Sequence, residues 1–298
     1  TACPAYSELE LTFENFAVPQ EKDTYRCRDF DLLPSGCTYW VTEFEPIITD
    51  GMEGLVHHMN LFSIEGQMSS CPYTCFDMPN ARGMDAAWAV GGGKITWPEG
   101  MGYTIGGHKQ SLQMHYYNHD QKPGQVDLRS GMRLKLTSTP PAVTLTLIMI
   151  GLHPFGELHI PGGMQHTLRF AECAPRLRGN VTVLAYYPHA HKLGVSVTTE
   201  VRRHRSDSSS SGMFDSEVVG DLGNAPSFDF NYQHLKLFPS GQERHLTQGD
   251  AVRVICGYNT ESLRRSTHGG WGSDEEMCMT IIYAYPSENV ESTSCLSD

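Results

Sequence analysis

The sequence predicts an all-β protein built from short antiparallel strands arranged as sandwiches or barrels. Apolar and polar residues alternate in three separate runs, at positions 131–136, 143–147 and 195–201. Alternation with a period of two is typical of strands that have one face on a core and the other in water. Glycine (29 residues) and proline (17 residues) are spaced along the chain between such runs, and no long stretch keeps the 3.6-residue period of a helix.

The chain of 298 residues is long enough for two domains, and the sequence predicts a boundary after residue 139. Residues 137–141 read TSTPP, and consecutive prolines do not fit inside a central strand. We therefore expect one domain at 1–139 and a second at 140–298. A serine-rich run at 206–212 predicts a polar loop tip. Asn180 begins the one Asn-x-Ser/Thr sequon, and the sequence leaves its glycosylation open.

The overall composition is that of a globular protein whose partner is neither nucleic acid nor an anionic membrane. Hydrophobic residues make up 39% of the chain and charged residues 19%, with a net charge of -12 that would repel polyanions. No apolar run approaches the roughly 20 residues of a membrane helix. The first residues lack the basic and apolar regions of a signal peptide, so we expect a mature chain from which an export signal has been removed.

The cysteines predict disulfides and an oxidising compartment, either extracellular or in the lumen of a secretory vesicle. They are scattered along the chain and do not form paired zinc knuckles. Because their number is odd, at least one thiol is left free or pairs with another chain. The nine cysteines are Cys3, Cys27, Cys37, Cys71, Cys75, Cys173, Cys256, Cys278 and Cys295.

Three of the 14 histidines form the first candidate metal site. His57 and His58 are adjacent in one strand-like run, and His115 lies in another. Neighbouring residues of a regular strand point to opposite faces, so both His57 and His58 reach one metal only if the strand bulges or their rings use different nitrogens. Three imidazoles would make a nitrogen-only site.

His189 and His191 form the second candidate site. At positions i and i+2 they share one face of a strand, and a third ligand has to come from elsewhere in the chain. Met277 is the candidate, because a thioether is a soft ligand that suits copper(I) better than zinc, calcium or magnesium. A disulfide at Cys278, for which Cys256 is the candidate partner, would remove a competing thiolate. Eight other histidines are interpreted as ordinary surface or core residues: His108, His119, His153, His159, His166, His204, His234 and His245.

The chain resembles the copper type II, ascorbate-dependent monooxygenases over roughly residues 9–295. Five motifs occur in the family's order: DTYRC at 23–27, VHHM at 56–59, LQMHY at 112–116, HAH at 189–191 and EMC at 276–278. The resemblance implies two jelly-roll-like antiparallel β-sandwich domains with one copper ion in each. It assigns electron storage to one copper ion and oxygen activation to the other, with dioxygen as co-substrate and ascorbate as reductant. The ligands of the electron-storage copper would be His57, His58 and His115. The ligands of the oxygen-activating copper would be His189, His191 and Met277.

The family's disulfide pattern implies the pairs Cys27–Cys71, Cys173–Cys295 and Cys256–Cys278. Two family cysteines are missing from the N-terminal half, which leaves Cys37 as a candidate partner for Cys75. Cys3 is then the candidate unpaired residue, available for an intermolecular contact. The alternative is a Cys3–Cys37 pair with Cys75 free.

Three positions near the second candidate site bear on the substrate. Tyr187 replaces an arginine that anchors the peptide carboxylate in the amidating members of the family, and a neutral phenol cannot take over that role. Met279 and Ile281 replace an asparagine and a tyrosine, which makes the site more apolar. We therefore expect a small apolar or aromatic substrate, as in the dopamine and tyramine β-hydroxylases, and not a peptide ending in glycine.

Two other interpretations stay open. One is a copper-binding or interaction module that has kept the fold without activity. The other is a zinc hydrolase that uses only His57, His58 and His115. Three consecutive acids, Asp274, Glu275 and Glu276, could attract an amine substrate, although such a run is more often a solvated turn.

Overall fold

The computed structural model describes residues 3–4, 7–76, 78, 80–105, 109–154, 156–204 and 216–297, and nearly all of its regular structure is strand. The chain divides into two compact units, Thr1–Leu145 and Thr146–Asp298. Residues 138–142 connect the twelfth strand to the thirteenth, and the division falls inside the thirteenth strand. The serine-rich run at 206–212 lies outside the described residues. No helix in the described ranges is long and apolar enough to cross a membrane.

The first unit contains twelve described strands and the start of a thirteenth. They are β1 (Glu8–Thr12), β2 (Phe16–Ala17), β3 (Asp23–Phe30), β4 (Tyr39–Ile47), β5 (Val56–Ile64), β6 (Tyr73–Thr74), β7 (Ala81–Ala89), β8 (Ile95–Thr96), β9 (Met101–Ile105), β10 (Lys109–Tyr117), β11 (Val126–Asp127), β12 (Gly131–Thr137) and β13 (Val143–Leu152).

Two antiparallel sheets make up most of this unit. One has the order β1-β12-β4-β9, with β8 paired to β4, and the other has the order β6-β3-β10-β5-β7. The alternation predicted at 131–136 is confirmed in β12, where Leu134 and Leu136 are buried while Arg133 and Lys135 are more exposed. Met59, Leu61 and other apolar side chains of the second sheet are also fully buried, as expected for β-sandwich packing.

The second unit continues β13 and adds eleven strands with one turn of 3-10 helix, Ser287–Asn289. The strands are β14 (His159–Ile160), β15 (Thr167–Cys173), β16 (Val181–His189), β17 (Gly194–His204), β18 (Ser216–Ala225), β19 (Lys236–Leu237), β20 (Arg244–Leu246), β21 (Ala251–Tyr258), β22 (Thr267–His268), β23 (Met279–Tyr285) and β24 (Ser294–Ser297).

The second unit is also a sandwich of two sheets. In one, β23 lies between β13 and β16, and in the other the order is β15-β21-β17-β18. Side chains from both sheets meet in a single core cluster, which includes Ile150 and Ile282 from the first sheet and Val197 and Val254 from the second. A short separate ribbon pairs β14 with β22. The all-β sandwich prediction is therefore confirmed.

The cysteine pairing departs from the prediction in the first unit. The pairs are Cys3–Cys37, Cys27–Cys75, Cys173–Cys295 and Cys256–Cys278, and Cys71 is free and exposed. The predictions that Cys27 pairs with Cys71, that Cys37 pairs with Cys75 and that Cys3 is unpaired are wrong. The alternative was right about the Cys3–Cys37 pair. It was wrong about the free residue, which is Cys71 and not Cys75.

The reason for the different pairing is the path of the chain beside β3. The backbone N–H of Ser69 donates to Oδ2 of Asp29 at 2.8 Å, and Cys71 follows at the surface. The short strand β6 then pairs with β3, with Tyr73 opposite Cys27, and carries Cys75 inward. Cys27 and Cys75 are both buried, with their Cα atoms 5.8 Å apart, an ordinary separation for a disulfide.

A bulge in β7 carries a half-buried carboxyl group of the first unit. Leu61 of β5 lies opposite Ala86 and Phe62 lies opposite Met84, so Asp85 is the extra residue. The hydroxyl of Ser63 donates to Oδ2 of Asp85 at 2.7 Å. Burial raises the pKa of Asp85 to about 7.

The first prediction concerns the thiol. Native protein treated with iodoacetamide should be alkylated at Cys71 alone, because the described residues include all nine cysteines and the other eight are paired. Cys71→Ser should leave stability unchanged, whereas Cys75→Ser should cost about 2 to 4 kcal/mol by removing a disulfide. Peptide mapping without reduction and urea unfolding measure the two effects. A Cys27–Cys71 peptide would refute the pairing.

The second prediction concerns Asp85. Because its pKa is raised in the folded state, the folded protein holds a proton that the unfolded chain loses near pH 4, and stability falls as the pH rises from about 4 to about 7. Over that range the free energy of unfolding of the wild type should fall by about 2 to 4 kcal/mol more than that of Asp85→Asn. The exposed Asp120→Asn variant is the control and should follow the wild type. Parallel profiles for wild type and Asp85→Asn would contradict the assignment.

Candidate metal centres

Paired strands bring the three histidines of the first candidate site together. His57 and His58 lie on β5, and His115 lies on β10 directly opposite His58. The register then shifts, so that Tyr116 faces Val56 and His57 becomes the extra residue. This bulge is the first of the two ways in which the sequence allowed both adjacent histidines to reach one metal.

The three imidazoles have the geometry of a nitrogen site. Their ligand nitrogens all lie within 4.8 Å of one another, and no other group of three or more His, Cys, Asp or Glu side chains is gathered this closely in the described part of the chain. Nδ1 of His58 and Nδ1 of His115 are 3.2 Å apart. All three side chains are buried. The donor set fits a copper ion, because imidazole suits copper.

Asp23 and Tyr25, at the start of β3, orient His115. Nε2–H of His115 donates to Oδ1 of Asp23 at 2.9 Å, which leaves the lone pair of the ring on Nδ1, the nitrogen that faces His58. The ring of Tyr25 stacks on that of His115 with centroids 4.3 Å apart. Burial lowers the pKa of His115, while Asp23 acts in the opposite direction, and the lowering favours the neutral ring that a metal needs.

The second pair of histidines lies at the end of β16. The ring centroids of His189 and His191 are 5.3 Å apart, and both side chains are buried. Nδ1–H of His189 donates to Oε1 of Gln233 at 2.7 Å, and Nδ1–H of His191 donates to the carbonyl oxygen of Glu275 at 2.9 Å. Both hydrogen bonds fix the tautomer that presents Nε2 to a metal.

The segment that carries Met277 runs beside these histidines. The buried carboxyl group of Glu276 accepts the backbone N–H of His191 at 2.9 Å and that of Leu193 at 2.7 Å. The hydroxyl of Tyr258 donates to the carbonyl oxygen of Met277 at 2.8 Å, and the Met277 side chain is buried. The pair Cys256–Cys278 is formed as predicted, which removes the Cys278 thiolate as a ligand. The Met277 sulfur as third ligand remains a prediction.

The three residues expected to shape the pocket share one face with His189. In the β16–β23 pair, Tyr187 lies opposite Ile281 and His189 lies opposite Met279. Directly opposed residues of antiparallel strands, and residues two apart on one strand, lie on the same face. All three side chains are buried, and the ring centroid of Tyr187 is 6.0 Å from that of His189. Burial raises the pKa of Tyr187, so the phenol is neutral.

The structure also shows three residues whose roles the sequence did not reveal. Asp23 belongs to a quoted motif but had no assigned function, and Gln233 carried no local signal. Glu276 was interpreted with its neighbours as a solvated turn, which holds for Asp274 and Glu275 but is wrong for Glu276. Burial raises the pKa of Glu276 to about 8, against the lowering effect of the backbone N–H groups that it accepts.

Comparison with protein families gives two matches. Residues 9–123 match the N-terminal domain of the copper type II ascorbate-dependent monooxygenases, and residues 147–298 match the C-terminal domain of the same family. Together these matches cover most of the chain.

Among curated relatives, dopamine beta-hydroxylase of Equus caballus is 28% identical over 95% of this chain and 47% of its own length. Tyramine beta-hydroxylase of Caenorhabditis briggsae is 28% identical over 92% of this chain and 47% of its own length. DBH-like monooxygenase protein 1 of Gallus gallus is 28% identical over 98% of this chain and 48% of its own length. The chain therefore spans about half the length of the curated relatives it matches.

Among solved structures, peptide:N-glycanase F is 8% identical, with 96% of this chain and 98% of that chain covered at a TM-score of 0.36, a similarity too low to bear on function. The two domain matches decide the family: this chain belongs to the copper type II ascorbate-dependent monooxygenases.

Proposed function

We propose that this chain is an active copper- and ascorbate-dependent monooxygenase that hydroxylates a C–H bond of a small organic substrate. The observation that carries the proposal is the convergence of His57, His58 and His115 in a chain whose two halves both match the family. Copper, when bound, supplies the one-electron transfers and the activation of dioxygen, and ascorbate is the reductant. We assign one copper ion to each of the two candidate sites.

The two ligand sets suit different tasks. Three neutral imidazoles in the first set can serve either oxidation state of copper, which fits electron storage. In the second set, the thioether of Met277 would favour the reduced state beside His189 and His191, and three protein ligands leave a coordination position open. Asp23, Gln233 and the carbonyl of Glu275 hold the imidazoles in the orientations that this arrangement needs.

The buried face around His189 supports an apolar or aromatic substrate with a benzylic or heteroatom-adjacent C–H bond. Tyr187 offers a neutral phenol and no cation for a carboxylate, and Met279 and Ile281 add apolar surface. The carboxyl group of Glu276 accepts backbone N–H groups, and burial raises its pKa to about 8, so it is largely neutral at pH 7 and does not serve as an amine anchor. The hydroxylases of dopamine and tyramine among the relatives favour the same substrate class.

The four disulfides support a location in the secretory pathway or outside the cell, where oxidising conditions maintain them.

Oxygen uptake with copper, ascorbate and a panel of substrates tests the function. The panel contains phenylethylamines, neutral alkylbenzenes and a peptide that ends in glycine. We expect ascorbate-dependent oxygen consumption and a hydroxylated product with one or both aromatic classes and none with the peptide. Two bound copper ions without turnover of any compound would favour a non-catalytic copper module. One zinc ion and no copper would favour the hydrolase interpretation.

The third prediction concerns Met277. Met277→Ala should abolish hydroxylation while the fold and the metal at the three-histidine site are retained, because only the second ligand set loses a donor. Product analysis, circular dichroism and copper content measure the three effects. Met164→Ala, a half-exposed methionine of the same unit, is the matched control and should keep full activity. Unchanged turnover by Met277→Ala would remove the oxygen-site assignment.

The fourth prediction concerns Asp23 and Gln233, which accept hydrogen bonds from the candidate ligands His115 and His189. Asp23→Ala should weaken copper binding at the three-histidine site, and Gln233→Ala should weaken it at the other site, each by about 10- to 100-fold. The two variants serve as controls for each other, because each leaves the other ligand set untouched. Copper titration with a competing chelator measures both affinities. Equal losses at both sites in either variant would indicate general unfolding and contradict the assigned roles.

A further inference from the structure

A pair of exposed histidines lies on the β14–β22 ribbon, and neither is among the six candidate copper ligands. The backbone N–H of Glu276 donates to the carbonyl oxygen of His268 at 2.9 Å, so the ribbon adjoins the segment that carries Met277. His159 lies directly opposite His268. The neighbouring residues Leu158 and Gly269 form the ladder hydrogen bond, from N–H of Gly269 to the carbonyl oxygen of Leu158 at 3.0 Å. His159 and His268 therefore occupy the adjacent, non-hydrogen-bonded position, where opposing side chains of antiparallel strands come closest.

The spacing of the two rings is that of imidazoles on a shared metal. Their centroids are 5.2 Å apart with an interplanar angle of 51°. Metal–nitrogen bonds of about 2.0 to 2.1 Å place two rings at adjacent positions of one tetrahedral or square-planar ion about 4.5 to 5.5 Å apart, centre to centre. The corresponding distance is 5.3 Å for His189 and His191 and 4.6 Å for His58 and His115.

Both side chains of the pair are exposed. The guanidinium of Arg169, one positive group beside the ribbon, is turned to the backbone and donates to the carbonyl oxygens of His159 at 2.6 Å and Leu168 at 2.8 Å. Glu157, two residues before His159, is exposed. The net charge of -12 also favours cations over anions near the surface.

We propose that His159 and His268 form a surface site for an exchangeable divalent transition-metal ion, such as Zn²⁺, Ni²⁺ or Cu²⁺. Two imidazoles bind the ion and water completes its coordination, which gives a site that loads and empties in solution. The proposal does not depend on the proposed function, because neither histidine belongs to the six candidate copper ligands.

Chemical modification of histidine with and without Zn²⁺ tests the site directly. Diethylpyrocarbonate acylates exposed imidazole nitrogens, and peptide mass spectrometry gives the extent of reaction at each position. We expect Zn²⁺ to suppress modification of His159 and His268 together and to leave the exposed His166 and His245 unchanged. Equal modification of His159 and His268 with and without saturating Zn²⁺ would overturn the proposal.

Single substitutions distinguish one Zn²⁺ ion bound by both histidines from separate protection of each histidine. In His159→Ala, Zn²⁺ should no longer protect His268, and in His268→Ala it should no longer protect His159. Equilibrium dialysis should show that each variant binds one Zn²⁺ fewer than the wild type, whereas His166→Ala binds as many as the wild type. Retained protection, or an unchanged zinc count in both variants, would show that the two histidines do not share an ion.

Discussion

The register between β5 and β10 is the constraint on which the first site depends. A side chain on a strand can point only to one face or the other, and a slip of one residue would move a histidine to the opposite face. His115 lies opposite His58, and the shift that follows turns His57 into an extra residue. Three imidazoles converge because the pairing and the bulge occur at the same point, inside a buried sheet that cannot slide without exposing its apolar side chains.

The second site, at His189 and His191, depends on hydrogen bonds between side chains and the backbone. His191 lies beyond the end of β16, and the carboxyl group of Glu276 accepts its backbone N–H. Glu276 directly precedes Met277, so one buried carboxyl group joins the segments that carry two candidate ligands. Hydrogen bonds from Nδ1 of His189 and His191 then set the tautomers. This organisation explains how an irregular part of the chain can still be rigid enough to position donors.

The strands and the candidate ligands could be predicted from the sequence, because alternation and local spacing are properties of short segments. Contacts between distant segments could be predicted only where the family resemblance carried them, as for Cys173–Cys295 and Cys256–Cys278. Cys71 and Cys75 are four residues apart, and only the path of the chain from Ser69 to β6 decides which of them reaches Cys27. Gln233 has no neighbouring motif that marks it as the partner of His189. Glu276 lies in a run of acids whose composition suggests solvent, and its burial follows from tertiary structure alone.

The central claim is that a sulfur and two imidazoles bind one reduced copper ion, while a separate ion is bound by nitrogen only. X-ray absorption spectroscopy of the protein loaded with copper(I) tests it most directly, because sulfur and nitrogen scatter differently in the first coordination shell. We expect a first shell of nitrogen together with a partial sulfur contribution that disappears in Met277→Ala. A first shell without sulfur in the wild type, with both copper ions bound, would contradict it.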